Sequence, residues 1–593
     1  MEKQNDQTAA ATLFSCTQCR SRKLRCDRAR PRCSRCDRLG EDCDYPQSRR
    51  ANVGRRKRVH ELEAKLDHLE GLVRSAETYP TDGETASRHA ANQDAGCLPE
   101  NVLFATASSE AVPDPNPPFS ELVSLGMFEQ LPSQELAVFL TNSYFDKWQY
   151  AAPMFHRARY MMSLYMPPHM RPPLCLQYII MALGAGITKT HCQLATPFYQ
   201  RARTYLESDE MRGDGHYFAT IAHAQSWCLV ANFEAQQLSF AQSSMSLCRA
   251  TRIAQMLGLH RIDGDSVDAM PLLPPPKDWS DAEERRRTWW VIYCSDRLVG
   301  GSTGWPVMIN EHDISTHLPS SEKAFELGLE ETTSPLTSTL QQEGQGFSAF
   351  AGRVLAASLF YRAFQHSTRT VPEDDPADPR TSMHWKRHRE IDNDLVVLLQ
   401  ALPDDLQLPR NIQCRNATFV NIIIHTSVIC LHRAALARMQ SHAPSERMMR
   451  QSTARLVCAA EEILNVFRMM PDVNETLKNP MLTFSVYMTS VVFLDNWDTQ
   501  QQDYRRQDNL DFILRIIILA ARTWNNPVTG SMAAQLAADM RERGLDSAAV
   551  EKATELSLDR SMVPIFGKSD PESSNFLFQV PNADNTPGQD GIS

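Results

Sequence analysis

The stretch CTQCRSRKLRCDRARPRCSRCDRLGEDC, residues 16–43, decides how this chain is read. Its cysteines fall as Cys16-x2-Cys19-x6-Cys26-x6-Cys33-x2-Cys36-x6-Cys43, two copies of one C-x2-C-x6-C pattern joined by a short turn. A C-x2-C pair sets two thiolates on the same side of a tight turn, where both reach one tetrahedral ion, and the third cysteine returns after a short helix. Two zinc ions need eight ligand positions and six sulfurs are present, so two sulfurs must bridge if both ions are fully sulfur-bound. The arithmetic favours a binuclear cluster, two Zn2+ per chain. Three disulfides, or a mononuclear site with spare thiols, are the competing readings, and both the spacing and the expected compartment oppose them.

A length of 593 residues predicts a small module beside a large body that buries its own core. The formal net charge is −10, yet residues 16–58 carry 15 Lys+Arg against 5 Asp+Glu, or +10, which leaves −20 on the rest. A basic head on an acidic body points to a polyanion at one end only. No run of about 18 uninterrupted apolar residues occurs, and residues 1–11 are polar, so neither a membrane span nor a signal peptide is expected. An intracellular, reducing setting follows, in which clustered thiols serve as metal ligands. Nine further cysteines are scattered without ligand spacing and read as small apolar fillers.

The two halves of the cluster differ in charge. Between Cys19 and Cys26 lie Arg20, Arg22, Lys23 and Arg25 with no acid, whereas between Cys36 and Cys43 Arg38 stands against Asp37, Glu41 and Asp42. Only the first half can face double-stranded DNA comfortably. A short helix beginning near Cys16 is expected to enter the major groove, while the second half, closed by Gly40, acts as scaffold. Two Zn2+ and six thiolates add −2, leaving the head strongly basic. With few apolar residues beyond Leu24 and Leu39, the module should draw its folding energy from zinc and unfold on chelation.

With every ligand in place from Cys16 to Cys43, the segment resembles the fungal Zn2Cys6 binuclear-cluster transcription factors. The resemblance implies that Cys16 and Cys33 are the bridging sulfurs and that Pro31 is the proline of the turn between halves. It also implies Lys23 as the reader of CGG-type triplets, with Arg20, Arg22 and Arg25 mostly on phosphates.

Residues 44–58 form a basic linker whose run Arg55 to Arg58 suits nuclear import or phosphate contact. Val59, Leu62, Leu66, Leu69, Val73 and Ala76 then alternate in steps of three and four, the seam of a coiled coil over residues 59–76. In that register Arg58 and Lys65 face Glu63 and Glu70 across a parallel homodimer, although Gly71 and the short length make the helix marginal alone. Two heads on one duplex imply paired half-sites, and a fifteen-residue linker reaching roughly 50 Å leaves their spacing open.

Residues 77–120 read as a flexible tether, and residues 121–530 as an all-helical regulatory domain, so the fold class is mostly α. Helical stretches are expected around Leu136 to Leu140, Leu176 to Leu183, Phe218 to Val230 and Cys248 to Leu257. After a polar interruption near Ser320 to Gly346 they resume at Phe347 to His366, Trp385 to Leu402, Ala417 to Met439, Met448 to Met469, Leu482 to Trp497 and Phe512 to Trp524. The run from Arg285 to Arg297, with Gly304-Trp305-Pro306, Asp313-Ile314 and Leu318-Pro319, resembles the fungal-specific transcription factor regulatory domain, or middle homology region; Trp305 departs from the arginine usual there. Trp289, Tyr293 and Leu298 should pack inward and Asp296 and Arg297 form internal ion pairs. His425 and His432, seven apart, read as core histidines rather than a metal site. Residues 531–593 read as C-terminal helices and a disordered tail whose scattered aromatics among acids suit an activation segment.

No phosphate loop, nucleophile elbow or zinc-protease histidine pair is present, so the sequence reads as no enzyme. It reads as a zinc-dependent, DNA-binding activator in the nucleus that engages the transcription machinery, with a small-molecule effector of the helical domain as a further partner and no membrane. A biosynthetic or secondary-metabolite gene cluster is the expected target by family habit alone.

Overall fold

Several helices begin where the sequence supplies a cap. Ser133 accepts the Leu136 amide, Thr220 the His223 amide, Asp278 the Asp281 amide and Ser547 the Val550 amide, each satisfying an orphan N–H of a first turn. The computed structural model describes residues 15–22, 24–45, 132–212, 215, 217–237, 239–264, 273–339, 346–368, 382–441, 446–497, 504–524 and 527–556. Among them the chain is helical, with no strand. Residues 44–58 beyond Tyr45, the coiled-coil positions Val59, Leu62, Leu66, Leu69 and Val73, the tether and the tail from Ser561 lie outside the described residues.

The chain divides into two compact units, Met1–Pro113 and Asp114–Ser593. The first contains the cysteine module, with helices Thr17–Ser21 and Ser34–Leu39. Among its described residues the buried core is Cys16, Cys19, Cys33 and Cys36, while Leu24 and Leu39 are exposed.

The second unit is built from helical hairpins around one continuous core that runs from Leu140 to Ala553. Helix Leu174–Gly186 packs on Ala195–Met211, Ile221–Gln236 on Phe240–Met256, Arg415–Ser441 on Glu446–Met469, and Tyr504–Trp524 on Pro527–Glu542. Helix Trp279–Thr303 packs on Ala349–Thr368 and ties the earlier hairpins to the later ones. Glu446–Met469 carries the sequence logic plainly: Leu456, Ala459, Ala460, Ile463, Leu464 and Phe467 recur every three to four residues and are all buried. At Gly184 any Cβ would stand 2.1 Å from the Leu140 carbonyl oxygen, so a missing side chain is what lets Leu174–Gly186 and Gln134–Lys147 touch backbone to backbone.

Three features differ from the sequence reading. The polar interruption holds two short helices, Glu322–Leu327 and Leu336–Thr339, each burying an apolar residue (Phe325 and Leu336) that a polar average conceals. The boundary expected at residue 530 falls inside helix Pro527–Glu542, whose Met532, Ala533, Leu536 and Met540 belong to the main core. By length and composition Arg415–Met439 is apolar enough to cross a membrane, although no uninterrupted apolar run marks it; 78% of its most apolar window is buried inside the protein, the setting of a core helix.

Candidate metal centre and nucleic-acid interface

The sequence repeat of the head is a structural repeat. The Cys19 amide donates to Cys16 Sγ at 3.4 Å and the Cys36 amide to Cys33 Sγ at 3.5 Å; the Leu24 amide reaches the Cys19 carbonyl at 2.8 Å and the Glu41 amide the Cys36 carbonyl at 3.0 Å. Each bond recurs seventeen residues on. Gly40 ends the second helix at φ 65°, a left-handed position that glycine takes without strain. The ends of the module are fastened by the Thr17 amide donating to the Asp44 carbonyl at 2.8 Å and by the Tyr45 hydroxyl donating to the Ala29 carbonyl at 2.7 Å.

This folding gathers all six sulfurs into two tetrads, Cys16, Cys19, Cys26 and Cys33, and Cys16, Cys33, Cys36 and Cys43, with the ligand atoms of each tetrad within 4.8 Å of one another. Cys16 and Cys33 belong to both. The sulfur separations are 3.8 Å for Cys16–Cys33, 3.7 Å for Cys16–Cys36, 3.8 Å for Cys19–Cys33 and 3.9 Å for Cys16–Cys26. Four sulfurs about 2.3 Å from a tetrahedral zinc stand about 3.8 Å apart, so these are the edges of metal-sized tetrahedra rather than thiol hydrogen bonds or S–S bonds. The cysteines are free of disulfides. Without an ion, burial drives the Cys16 thiol upward and the Cys36 thiol to about 12, while amide donors lower Cys33 and Cys43. Protons must therefore leave as metal enters.

Arg22, Arg25, Arg28 and Arg30 are exposed on the first half and the turn. Arg22 has an acid partner, Glu41 Oε1 at 2.6 Å, across from the second half, and Arg32 donates to the Glu41 carbonyl at 3.0 Å. The charge segregation expected between halves is thus bridged at one point. The short helix expected near Cys16 is Thr17–Ser21, which carries Arg20 near its end, while Arg22 and Arg25 follow it; Lys23 lies outside the described residues.

In the body, the Arg285 to Arg297 run faces inward as expected. Trp289 and Tyr293 are fully buried, Leu298 is half-buried, and Arg297 pairs with Asp296 at 3.0 Å. Asp296 also accepts the Met308 and Ile309 amides, and Arg297 donates to the Ile309 carbonyl at 2.7 Å, so the pair pins the loop after Gly304. Sequence reading overlooked Glu283, which is wholly buried and accepts from Arg286 at 2.6 Å, Arg287 at 3.0 Å and the Ser320 amide at 2.9 Å. His432 sits between Ser452 and Asp392 and His425 is half-buried, in keeping with the core reading. Of the scattered cysteines, Cys175, Cys228, Cys294 and Cys430 are buried fillers, whereas Cys192 and Cys458 are exposed. Cys175, Asp209 and His223 gather within 4.8 Å, a set invisible in spacing, but His223 is already taken by Thr220 at 2.8 Å and Asp209 at 3.1 Å.

Residues 14–52 match the fungal Zn(2)-Cys(6) binuclear cluster domain, and residues 141–360 the fungal specific transcription factor domain. The chain belongs to the fungal Zn2Cys6 transcription factors. Similar proteins include a pigment biosynthesis transcriptional activator of Monascus ruber, 26% identical over 58% of this Zn2Cys6 factor and 62% of the relative. Citrinin biosynthesis transcriptional activators of Monascus purpureus and Monascus ruber are 26% and 27% identical over 81% and 78% of this chain and 86% and 93% of theirs. The Zn2Cys6 factor therefore binds zinc through its cysteines, binds DNA and regulates transcription, and it is not an enzyme.

Proposed function

We propose that this chain is a nuclear activator dedicated to one biosynthetic gene cluster, holding two Zn2+ per chain and binding paired CGG-like triplets as a homodimer. The observation that carries the metal count is the sharing of Cys16 and Cys33 by two sulfur tetrads of zinc dimensions. The named activity of the relatives, matched over most of this chain, supports the cluster-specific role. In this reading Lys23 reads bases and Arg20 and Arg25 hold phosphates, with Arg22 joining them once Glu41 releases it. The residues 59–76 seam pairs two chains, Arg55 to Arg58 serve import, the tail from Ser561 engages the transcription machinery, and the helical body receives a small-molecule effector. Bound zinc would neutralise the thiolate crowd and lock both halves; the chain's own arginines and Lys23 then make the contacts to DNA.

Fluorescence anisotropy with a duplex holding two CGG triplets tests the proposal. Binding should vanish with chelator, return with zinc, and fall at least about tenfold for Lys23→Ala, since a good base contact contributes about 1–3 kcal/mol of discrimination. Equal binding to scrambled duplex would overturn it.

A further inference from the structure

A cavity of about 1020 Å3 opens within the helical body. That is at the upper end of the usual range for small-molecule sites, roughly 300–1,000 Å3. Trp148, Leu183, Phe233, Leu298, Phe350 and Phe419 give it apolar and aromatic walls. One side comes from the matched family domain, while Phe419, the Glu475–Met481 turn, Thr523 and Thr529 lie beyond residue 360. An occupant would therefore bridge the family domain and the C-terminal hairpins.

The charges on this wall are one-sided. Lys147, Lys189, Arg353 and Lys478 line it against a single acid, Glu475, which Lys478 holds at 2.8 Å, and this on a body of net negative charge. Among the described residues Lys147, Lys189 and Arg353 are in no ion pair. Arg353 is the unusual one, being buried within helix Ala349–Thr368. It donates to the Tyr150 carbonyl, to the Ala151 carbonyl at 3.3 Å and to Asn416 Oδ1 at 3.3 Å, and lies over the Phe419 ring at 4.6 Å, while its Nε has no partner. Glu322, the acid that influences it from a distance, is bound to Arg287. Buried cations are ordinarily paired, and a guanidinium satisfied only by neutral oxygens keeps an uncompensated charge. An anion in the cavity would supply that compensation.

We propose that this cavity binds an apolar, ring-bearing small acid, whose carboxylate or equivalent anion is received by Arg353 with Lys147 and Lys189 while its rings fill the aromatic walls. The proposal rests on the effector reading above and gives it a ligand class and residues.

The test titrates full-length protein with pyrene-1-butyric acid and with its neutral amide, following anisotropy without DNA. Saturable binding with at least about tenfold preference for the acid is expected, the size of one charge-assisted contact. Arg353→Gln should abolish the preference. Should that variant fail to fold, Lys147→Gln/Lys189→Gln should reduce the preference in a folded chain, and Ala235→Trp, at a position that lines the cavity, should weaken both probes by filling it. Equal binding of acid and amide would overturn the ligand class while leaving an effector site standing. Absence of saturable binding by either would overturn the site and the effector reading together. Preference retained in folded Arg353→Gln, or affinity untouched by Ala235→Trp, would overturn the assignment of residues.

Discussion

Cys16 and Cys33 belong to both sulfur tetrads and the other four cysteines to one each, which predicts unequal consequences of single substitutions. Cys33→Ser should cost the head both ions and its fold, whereas Cys26→Ser should weaken one site. Native mass spectrometry counts the bound zinc; a Cys26→Ser protein that loses both ions while Cys33→Ser keeps one would reverse the sharing. Glu41 supplies a second prediction at this scale. Because it holds Arg22 at 2.6 Å, Glu41→Gln should free that arginine and tighten DNA binding several-fold at low salt, with a steeper salt dependence. Unchanged affinity would leave Arg22 outside the interface. The six ligands were legible because their spacing is local. The Arg22–Glu41 pair was not, since it depends on how the second half folds back over the first.

Among elements, helix Trp279–Thr303 shows both what a pattern reveals and what it hides. The inward Trp289 and Tyr293 and the Asp296–Arg297 pair followed from residue type and spacing. Glu283 did not, because a glutamate beside three arginines reads as a solvated face until the Ser320 loop is seen covering it. Glu283→Ala should remove one acid from each of two buried guanidinium groups, leaving Arg286 to Asp263 at 2.7 Å and Arg287 to Glu322 at 3.3 Å, and cost about 1.5–3 kcal/mol, measured by urea unfolding. A loss under about 1 kcal/mol would mean that Asp263 and Glu322 compensate both charges without it. Helices Glu322–Leu327 and Leu336–Thr339 escaped for a related reason: the first buries only the adjacent Ala324 and Phe325 and the second only Leu336, too little for a periodic signal.

At the scale of the whole molecule, acid should unfold the body. Burial foremost holds His384 and His388 at about 3 and His425 at about 4, below the ordinary 6.5 of the unfolded chain, with neighbouring cations such as Arg438 and Arg455 adding to it. Below pH 6.5 the unfolded state takes up protons that the folded state refuses, so stability falls as pH drops toward 4. Glu284, raised to about 7 mainly by burial, opposes this, for its folded form gains a proton first between pH 7 and 4.5. From these four groups, three histidines against one glutamate leave a slope of about 2–3 kcal/mol per pH unit near pH 5.5, downward on acidification. All nine tryptophans lie in Asp114–Ser593, so their fluorescence in urea reads this unit alone. His388→Gln should flatten the slope and Glu284→Gln steepen it; stability rising on acidification would contradict the account. The helical class and most helix positions were legible from apolar period. The cavity was not, for its walls come from residues as far apart as Lys147 and Thr529.

The most direct measurement is selection from random duplex DNA by the full chain, once with zinc and once with chelator. Paired CGG-like triplets at one preferred spacing should be recovered with zinc, and nothing should be enriched with chelator. Sequence-blind recovery, or the same enrichment without metal, would contradict zinc-dependent, sequence-specific binding and leave the basic head as a polyanion anchor.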